Sequence, residues 1–237
     1  MPRHARVSPD GFVQHVLNRG DHREILFHEP SDFRAFLKAF TDTAQRIAMR
    51  VLAYCIMRNH FHFVLWPYAG ADLPVFMHRF MSVYISRHLK HLPPPSPGHI
   101  FQDRYDNVLV ETGPALLRVL RYVEANAFAA SLVNRVEEYP WTSASPEALE
   151  DGRPIICDWP IEKPSNWSQL LNLRTAAAEL KKIQRCAARG APYGSPAWTE
   201  RVIKQFGLEH TVRRPGCPKK GESIVPVGGV PTRHVRD

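Results

Sequence analysis

Residues 57–67, MRNHFHFVLWP, alternate two histidines with two phenylalanines inside an apolar run. Successive side chains of a β-strand point to opposite faces of the sheet, so His60 and His62 share one face while Phe61 and Phe63 share the other. The phenylalanine face can enter a hydrophobic core. Two imidazoles on one face can chelate a divalent cation when a third ligand comes from elsewhere. The alternative is that one or both histidines are exposed or hydrogen-bonded strand residues.

Three further runs have the composition of β-strands. They are rich in β-branched, aromatic and aliphatic residues and are bounded by turn residues. The sequences are GFVQHVLNRG, with a strand of about seven residues before a turn at Gly20–Asp21, VLAYCIM before a tight connection at Arg58–Asn59, and DNVLVET from residue 106. Together with FHFVLW, residues 61–66, these runs predict four strands.

Amphipathic helices are predicted between and after these strands. Apolar residues at helical spacing predict a helix in 31–50 with Ser31 as its N-cap. A second, basic helix is predicted in 71–92 and stops at the proline-rich loop 93–99, and a third is predicted in 112–133. The order β-α-β-β-α-β-α predicts an α+β domain of the ferredoxin-like type, with helices packed on an antiparallel or mixed sheet.

The chain divides into three predicted regions. Residues 1–145 contain the strands and the three helices. Residues 146–212 form a helical extension, in which 172–190 and 195–207 read as two helices. The last region, 213–237, is basic and rich in proline and glycine, and we expect it to be flexible.

The composition favours a polyanionic partner. Lysine and arginine exceed aspartate and glutamate by 31 to 23, a net charge of +8. Nucleic acid is the first candidate, because each neutralised phosphate releases counterions. The sequence has neither an apolar run of about 18 residues nor the apolar segment of a secretory signal, so we expect a cytoplasmic, nucleoid-associated protein with no membrane partner. Cysteines without zinc-binding spacing predict reduced thiols: Cys55, Cys157, Cys186 and Cys217.

The third predicted helix offers a second pair of polar residues. Tyr122 and Asn126 are four residues apart, so they lie above one another on one helix face. They flank the apolar stripe of that helix, from where a side chain can reach a cleft. The alternative is an ordinary boundary tyrosine and a surface asparagine. The stripe consists of Leu116, Leu120, Val123 and Ala127.

The order of these motifs, HxH, then a basic helix, then tyrosine and asparagine on the last helix, resembles the single-tyrosine HUH transposases. Among them it is most similar to the REP-associated tyrosine transposases, an IS200-like branch. The similarity continues in VQHVLNRGDHREILF, AYCIMRNHFHFVLWP, GHIFQDRYDNVLVE, LRYVEANAFAASLV and YPWTSA. It covers nearly the whole chain and is most specific over residues 1–145.

The resemblance implies a role for each residue of the two pairs. His60 and His62 would bind Mg²⁺ or Mn²⁺, with Asn126 as the third ligand. Tyr122 would attack the scissile phosphodiester, leaving a 5′-phosphotyrosine and a free 3′-OH. The expected substrate is single-stranded DNA with hairpins formed by repetitive extragenic palindromes. The resemblance leaves open whether the protein is a monomer or a homodimer, and it implies no nucleotide cofactor.

Several other residues are candidates for contact with DNA. Arg79 and Arg87 lie on the basic second helix, where they could follow the phosphate backbone. Tyr84 of the same helix is a rival nucleophile or a DNA contact, although no ligand follows it four residues later. Arg19 and Arg104 match recurrent basic positions of the family. We interpret one further strand residue, His15, as structural or as a DNA contact and not as a metal ligand.

Three departures from the family pattern stand out. Arg58 replaces a proline in the turn before the first histidine, without changing the ligand set. Ala127 and Ala130 replace a proline and an arginine after Asn126, which removes a helix-ending signal and a basic contact. Cys217 replaces an arginine in the basic tail, which weakens the case for minor-groove binding there.

These observations lead to one main hypothesis and two alternatives. The main hypothesis is a metal-dependent, single-strand DNA endonuclease and strand transferase. The first alternative is a DNA hairpin-binding protein of the same fold that does not cut. The second is a metal phosphohydrolase in which water is the nucleophile, and the lack of an acidic ligand set argues against it.

Overall fold

A four-stranded antiparallel sheet forms the centre of the protein. The computed structural model describes residues 6–91, 100–146 and 152–213, with the backbone alone for 88–91. The sheet has the spatial order β2-β3-β1-β4, and every neighbouring pair is antiparallel. The predicted α+β architecture is therefore confirmed. The strands are β1 (Val13–Arg19), β2 (Met49–Met57), β3 (His60–Pro67) and β4 (Asp106–Val110).

The predicted helices are present, and two short ones were not predicted. Helices α5 and α8 contain five and four residues, too few for a periodic pattern to be recognised. Within the described residues, no helix is long and apolar enough to cross a membrane. The helices are α1 (Pro30–Ala44), α2 (Asp72–His91), α3 (Pro114–Glu124), α4 (Asn126–Ala129), α5 (Trp167–Leu171), α6 (Ala177–Arg189), α7 (Pro196–Phe206) and α8 (Glu209–Val212).

The two faces of the sheet are packed differently. Helices α1 and α2 cover one face through a cluster of aromatic rings, in which Phe40 stacks on Phe63 with a centroid distance of 4.3 Å. Helix α3 covers the other face with Leu116 and Leu120, and Trp167 and helix α6 pack beside it. Phe61 and Phe63 of β3 enter the first cluster, as the alternation predicted. The histidines of β3 therefore face the side that carries α3.

Backbone hydrogen bonds from outside the sheet hold the turn that joins β2 to β3. The amides of Leu26 and Phe27 donate to the carbonyl of Arg58, and the amide of Gly20 donates to the carbonyl of Asn59. Position 20 requires glycine because a Cβ there would collide with the carbonyl oxygen of Glu24. The turn predicted at residues 58–59 is confirmed, and its anchoring fixes where β3 begins.

The N-cap predicted for α1 is wrong by two residues. The cap is Glu29, and Pro30 is the first helical residue. The carboxylate of Asp32 accepts hydrogen bonds from the amides of His28 and Glu29, at 2.8 and 3.0 Å, which completes a capping box. Ser31 is an exposed residue of the first turn. The proline at position 30 explains the difference, since proline is favoured at the first helical position.

The third predicted helix is interrupted instead of continuous. Helix α3 ends at Glu124, and Ala125 has φ −89° and ψ 12° before α4 begins. Side chains from neighbouring segments bind the backbone groups that would continue the helix. The hydroxyl of Thr142 donates to the carbonyl of Glu124 at 3.0 Å, and the amide of Ala127 donates to the thiol of Cys55. The chain then leaves the helix at Ser131, which has a positive φ of 58°.

The chain beyond residue 140 covers both edges of the sheet. At the β2 edge, the amide of Cys157 donates to the carbonyl of Val51 at 2.8 Å. At the β4 edge, the amide of Tyr193 donates to the carbonyl of Leu109, also at 2.8 Å. Covering edge strands in this way prevents them from pairing with other chains. The extension therefore packs directly on the sheet.

Some predictions concern residues outside those described. They are the proline-rich loop 93–99, almost all of the tail 213–237, and Cys217. The other three cysteines form no disulfide.

The capping box makes a prediction about stability. We expect Asp32→Ala to lower the free energy of unfolding by about 1 kcal/mol, because two amide donors at the start of α1 lose their acceptor. Ser31→Ala is the matched control and should change it by less than about 0.5 kcal/mol. Urea denaturation of both variants measures the difference. A larger loss for Ser31→Ala would contradict the assignment.

Candidate active site

A cavity of about 840 Å³ opens on the α3 side of the sheet. Its walls come from the C-terminal end of β1, the N-terminal end of β3, the segment before β4, the junction of α3 and α4, and helix α6. Its polar lining contains all four residues of the two predicted pairs. The polar and charged side chains that line it are Asn18, Arg19, His60, His62, Gln102, Asp103, Arg104, Asp106, Tyr122, Asn126 and Gln184.

The two histidines enter the cavity from the start of β3. His60 is half-buried and His62 is 3% exposed. Their ring centroids are 5.1 Å apart, so the two rings lie closer together than the roughly 6.6 Å that separates alternate residues along a strand. The structure thus brings the predicted pair together at one point.

Each histidine has a polar partner behind it that holds the Nδ1 atom. His60 Nδ1 lies 2.8 Å from Oδ1 of Asn59, and His62 Nδ1 lies 2.9 Å from Nε2 of His15. Asn59 Oδ1 can only accept, so the Nδ1 of His60 carries the proton. The Nε2 of His60 is then left for a ligand in the cavity, and so is that of His62 in the tautomer whose Nδ1–H donates to His15. Such outer partners fix the tautomer and the ring orientation of metal-binding histidines.

Burial keeps these three imidazoles neutral. Burial lowers the pKa of His15 to about 4 and that of His60 to about 4, the latter partly opposed by a contact with Asn126. Burial, followed by the nearby His60, His15 and Arg19, holds the pKa of His62 well below its usual value. A neutral imidazole has a free lone pair at physiological pH, so no proton competes with a cation for the Nε2 atoms.

Tyr122 and Asn126 enter the cavity from the opposite side, one at the end of α3 and the other at the start of α4. The interruption at Ala125 does not separate them: the Asn126 side chain contacts both Tyr122 and His60. The Tyr122 ring centroid lies 5.5 Å from that of His62. Burial raises the pKa of Tyr122, while hydrogen bonds from Asn126 and Gln184 and the charge of Arg19 oppose that rise.

The residues at this point fit a divalent cation. Two neutral imidazoles and the amide oxygen of Asn126 can provide three ligands and leave positions for water or phosphate oxygens. Asp103 and Asp106 line the same cavity. Even so, no group of three His, Cys, Asp or Glu side chains in the described parts of the chain could hold a metal together.

The predicted DNA contacts separate into two groups. Arg19 and Arg104 are exposed and line the cavity, and Arg19 pairs with His60 across β1 and β3. Arg79 and Arg87 line a different depression beside α1, where Arg87 forms an ion pair of 3.1 Å with Asp42. Because α1 and α2 cover the opposite face of the sheet, the structure does not bring this second group to the cavity.

Tyr84 lies in the aromatic core and not in the cavity. It is 2% exposed, and its ring packs edge-on against Phe36 at a centroid distance of 4.8 Å. Burial raises the pKa of its hydroxyl well above the usual value. The structure therefore brings Tyr122, and not its rival, next to the histidines.

Sequence reasoning missed three residues of the site. His15 was interpreted as structural or as a DNA contact, and it is 1% exposed and holds His62; its contact with a proposed ligand residue was not predicted. The register of β1 against β3 decides this contact, and no local pattern reveals it. Asn59 was assigned only to a turn. Gln184 is an exposed position of the extension with no motif around it, and no signal in the sequence could have found it.

The contact between His15 and His62 predicts an effect on metal binding. We expect His15→Phe to weaken Mn²⁺ binding roughly 10–100-fold, because the ring of His62 loses the partner that fixes it. His15→Gln keeps an acceptor at this position and should weaken binding less. Titration of free Mn²⁺ by electron paramagnetic resonance measures both. Equal affinities for the wild type and His15→Phe would contradict this role.

Comparison with known proteins agrees with this geometry. A family model described as "Transposase IS200 like" matches residues 11–126, which include all four residues of the two pairs. A solved structure of a REP-associated tyrosine transposase bound to a REP hairpin aligns with a TM-score of 0.53 at 14% identity, and the alignment covers 70% of this chain and 96% of that chain. This likeness shows the fold. No curated protein matches the chain. Over residues 11–126, the chain therefore resembles the IS200-like transposases.

Proposed function

We propose that the protein is a metal-dependent endonuclease and strand transferase for single-stranded DNA that cuts through a 5′-phosphotyrosine. The observation that carries the proposal is the convergence of His60, His62, Asn126 and Tyr122 in one cavity. Two exposed arginines, Arg19 and Arg104, line the same cavity and supply positive charge for a phosphate backbone.

The metal site would be Mg²⁺ or Mn²⁺ bound by His60, His62 and Asn126. When bound, the cation would act as a Lewis acid on the scissile phosphodiester. His15 and Asn59 keep both imidazoles turned toward the cavity. Because the oxygen of the Asn126 amide would face the cation, its NH₂ group is left to donate to the Tyr122 oxygen.

Tyr122 would be the nucleophile. Its phenolic oxygen forms a bond to phosphorus while the bond from phosphorus to the 3′ oxygen breaks. The phenolic proton passes to water at the mouth of the cavity, and the leaving 3′ oxygen takes up a proton from water. The charge of Arg19 and the two amide contacts favour the ionised phenol and so oppose the effect of burial. The covalent bond conserves the phosphodiester for transfer to a second 3′-OH.

We propose that the substrate is a hairpin formed by a repetitive extragenic palindrome. The structural relative was solved bound to a REP hairpin, and the net charge of +8 suits a nucleic-acid partner. The proposed regions remain a transposase domain in 1–145, a helical extension in 146–212 and a basic tail in 213–237. One chain supplies all four site residues, so the site would be complete in a monomer as well as in a homodimer.

The alternatives make different predictions about Tyr122. A hairpin-binding protein that does not cut would need no tyrosine beside the histidines. A phosphohydrolase would use water and leave no protein–DNA link. The position of the Tyr122 ring, 5.5 Å from His62 and in contact with Asn126, favours the transferase.

The central prediction concerns the covalent adduct. We expect the wild type to form a protein–DNA adduct with single-stranded hairpin DNA and Mn²⁺, and Tyr122→Phe to form none, because phenylalanine has no oxygen to attack phosphorus. Denaturing gel electrophoresis measures the adduct. Tyr84→Phe and the exposed Tyr68→Phe are controls and should retain it. Loss of the adduct in Tyr84→Phe alone would show that Tyr84, and not Tyr122, is the nucleophile. Normal cutting by both Tyr122→Phe and Tyr84→Phe would favour the hydrolase.

A second prediction concerns the metal. We expect EDTA to abolish adduct formation and Mn²⁺ to restore it at lower concentration than Mg²⁺, because Mg²⁺ gives up its water ligands reluctantly and so exchanges them less readily for imidazole nitrogens. His62→Ala should lose Mn²⁺ binding, whereas Tyr122→Phe should retain it. Isothermal titration calorimetry compares the two variants. Adduct formation in EDTA, or Mn²⁺ binding unchanged in His62→Ala, would contradict the assignment.

A further inference from the structure

Helix α6 of the C-terminal extension forms one wall of the cavity. Leu180, Gln184, Ala187 and Ala188 line it, and their spacing places them on one face of the helix. The family model ends at residue 126, so this wall lies outside the segment that the model matches. The two alanines have small side chains that let the helix backbone come close to the cavity.

One side chain of this wall reaches the proposed nucleophile. Gln184 lines the cavity together with Tyr122, and the proximity of its amide to the Tyr122 hydroxyl favours the ionised form of the phenol, as expected for an NH₂ group directed at the phenolic oxygen. Asn126 lines the same cavity and has the same effect on that hydroxyl. Gln184 itself is exposed, and its replacement leaves no cavity in the core.

The extension is fixed to the helix that carries Tyr122 at several points. The indole N–H of Trp167 donates to the buried carboxylate of Glu124 at 2.7 Å. The guanidinium of Arg121 donates to the carbonyl of Leu173. Nε of Arg118 lies 3.9 Å from Oε2 of Glu179, which is at the start of α6. These contacts come from residues on both sides of Tyr122 in the sequence. They hold α6 and α3 in one arrangement, so the position of Gln184 relative to Tyr122 is determined by the fold.

We propose that Gln184 is a positioning residue that holds the Tyr122 oxygen in line with the scissile phosphate and donates an N–H to it, so that the C-terminal extension is part of the active site. This inference rests on the proposed role of Tyr122. During attack, the bond from the phenolic oxygen to phosphorus forms as the bond to the 3′ oxygen breaks. During resealing, the oxygen of a 3′-OH forms a bond to phosphorus and its proton passes to water, while the bond to the phenolic oxygen breaks and that oxygen leaves with its electron pair and takes up a proton from water. In both directions Gln184 donates a hydrogen bond to an oxygen that carries partial negative charge, and it transfers no proton.

The test uses the full-length protein, a single-stranded hairpin substrate and Mn²⁺. Gln184→Met removes the N–H donor and keeps the length of the side chain. Gln205→Met, on the exposed side of α7, is the matched control. For each, single-turnover experiments give the rate constant and the amplitude of adduct formation, and addition of a 3′-OH strand to the isolated adduct gives the rate constant of resealing. Fluorescence anisotropy gives the dissociation constant for the DNA.

We expect Gln184→Met to slow both adduct formation and resealing by about tenfold, the effect of one hydrogen bond to an oxygen that carries developing charge. The amplitude and the DNA dissociation constant should stay within about twofold of the wild type, because the binding surface and the folded fraction are unchanged. Gln205→Met should match the wild type in every measurement.

Two results would overturn the inference. The first is wild-type rate constants in both directions for Gln184→Met. The second is a reduced amplitude with unchanged rate constants, which indicates loss of folded protein and no role at the phenolic oxygen. Failure of the proposed function looks different, because the wild type would then form no adduct, or Tyr122→Phe would still form one.

Discussion

The active site depends on strand β3, whose alternate residues must fit an aromatic core on one face of the sheet and a polar cavity on the other. Phe61 and Phe63 fill the aromatic core under α1 and α2, where burial of each ring contributes about 1.5–3 kcal/mol. His60 and His62 face the other side, where neutral imidazoles need hydrogen-bonding partners. A shift of one residue in the register would exchange the two sets. The anchored turn before His60 prevents this shift.

The second half of the site depends on where a helix is interrupted. Thr142 and Cys55 form hydrogen bonds with the carbonyl of Glu124 and the amide of Ala127, which would otherwise continue α3. Asn126 therefore begins a new helix at the cavity. Glu124, between Tyr122 and Asn126 in the sequence, is 4% exposed and accepts hydrogen bonds from Ser143 and Trp167. These contacts join the helix that carries Tyr122 to β2 and to the extension. The position of the tyrosine is therefore a property of the whole chain and not of its helix alone.

The sequence predicted the elements that carry local patterns. Alternation located β3, helical spacing located α1 to α3, α6 and α7, and the resemblance placed Tyr122 with the histidines. Contacts that depend on strand register or on distant segments could not be predicted. His15 holds His62 across two strands, and Gln184 reaches Tyr122 from a helix about sixty residues later. The cap of α1 was misplaced for a local reason: Ser31 was predicted, but Pro30 occupies the first helical position, so Glu29 before it is the cap.

The claim that Tyr122 attacks the phosphodiester is tested most directly by locating the covalent bond. Adduct formed with hairpin DNA and Mn²⁺ would be digested with nuclease and trypsin, and the nucleotide-linked peptide sequenced by mass spectrometry. The account predicts a nucleotide on the tryptic peptide 122–135, linked through Tyr122. A nucleotide on the peptide 80–87, which contains Tyr84, or the absence of any linked peptide from protein that has cut its substrate, would contradict it.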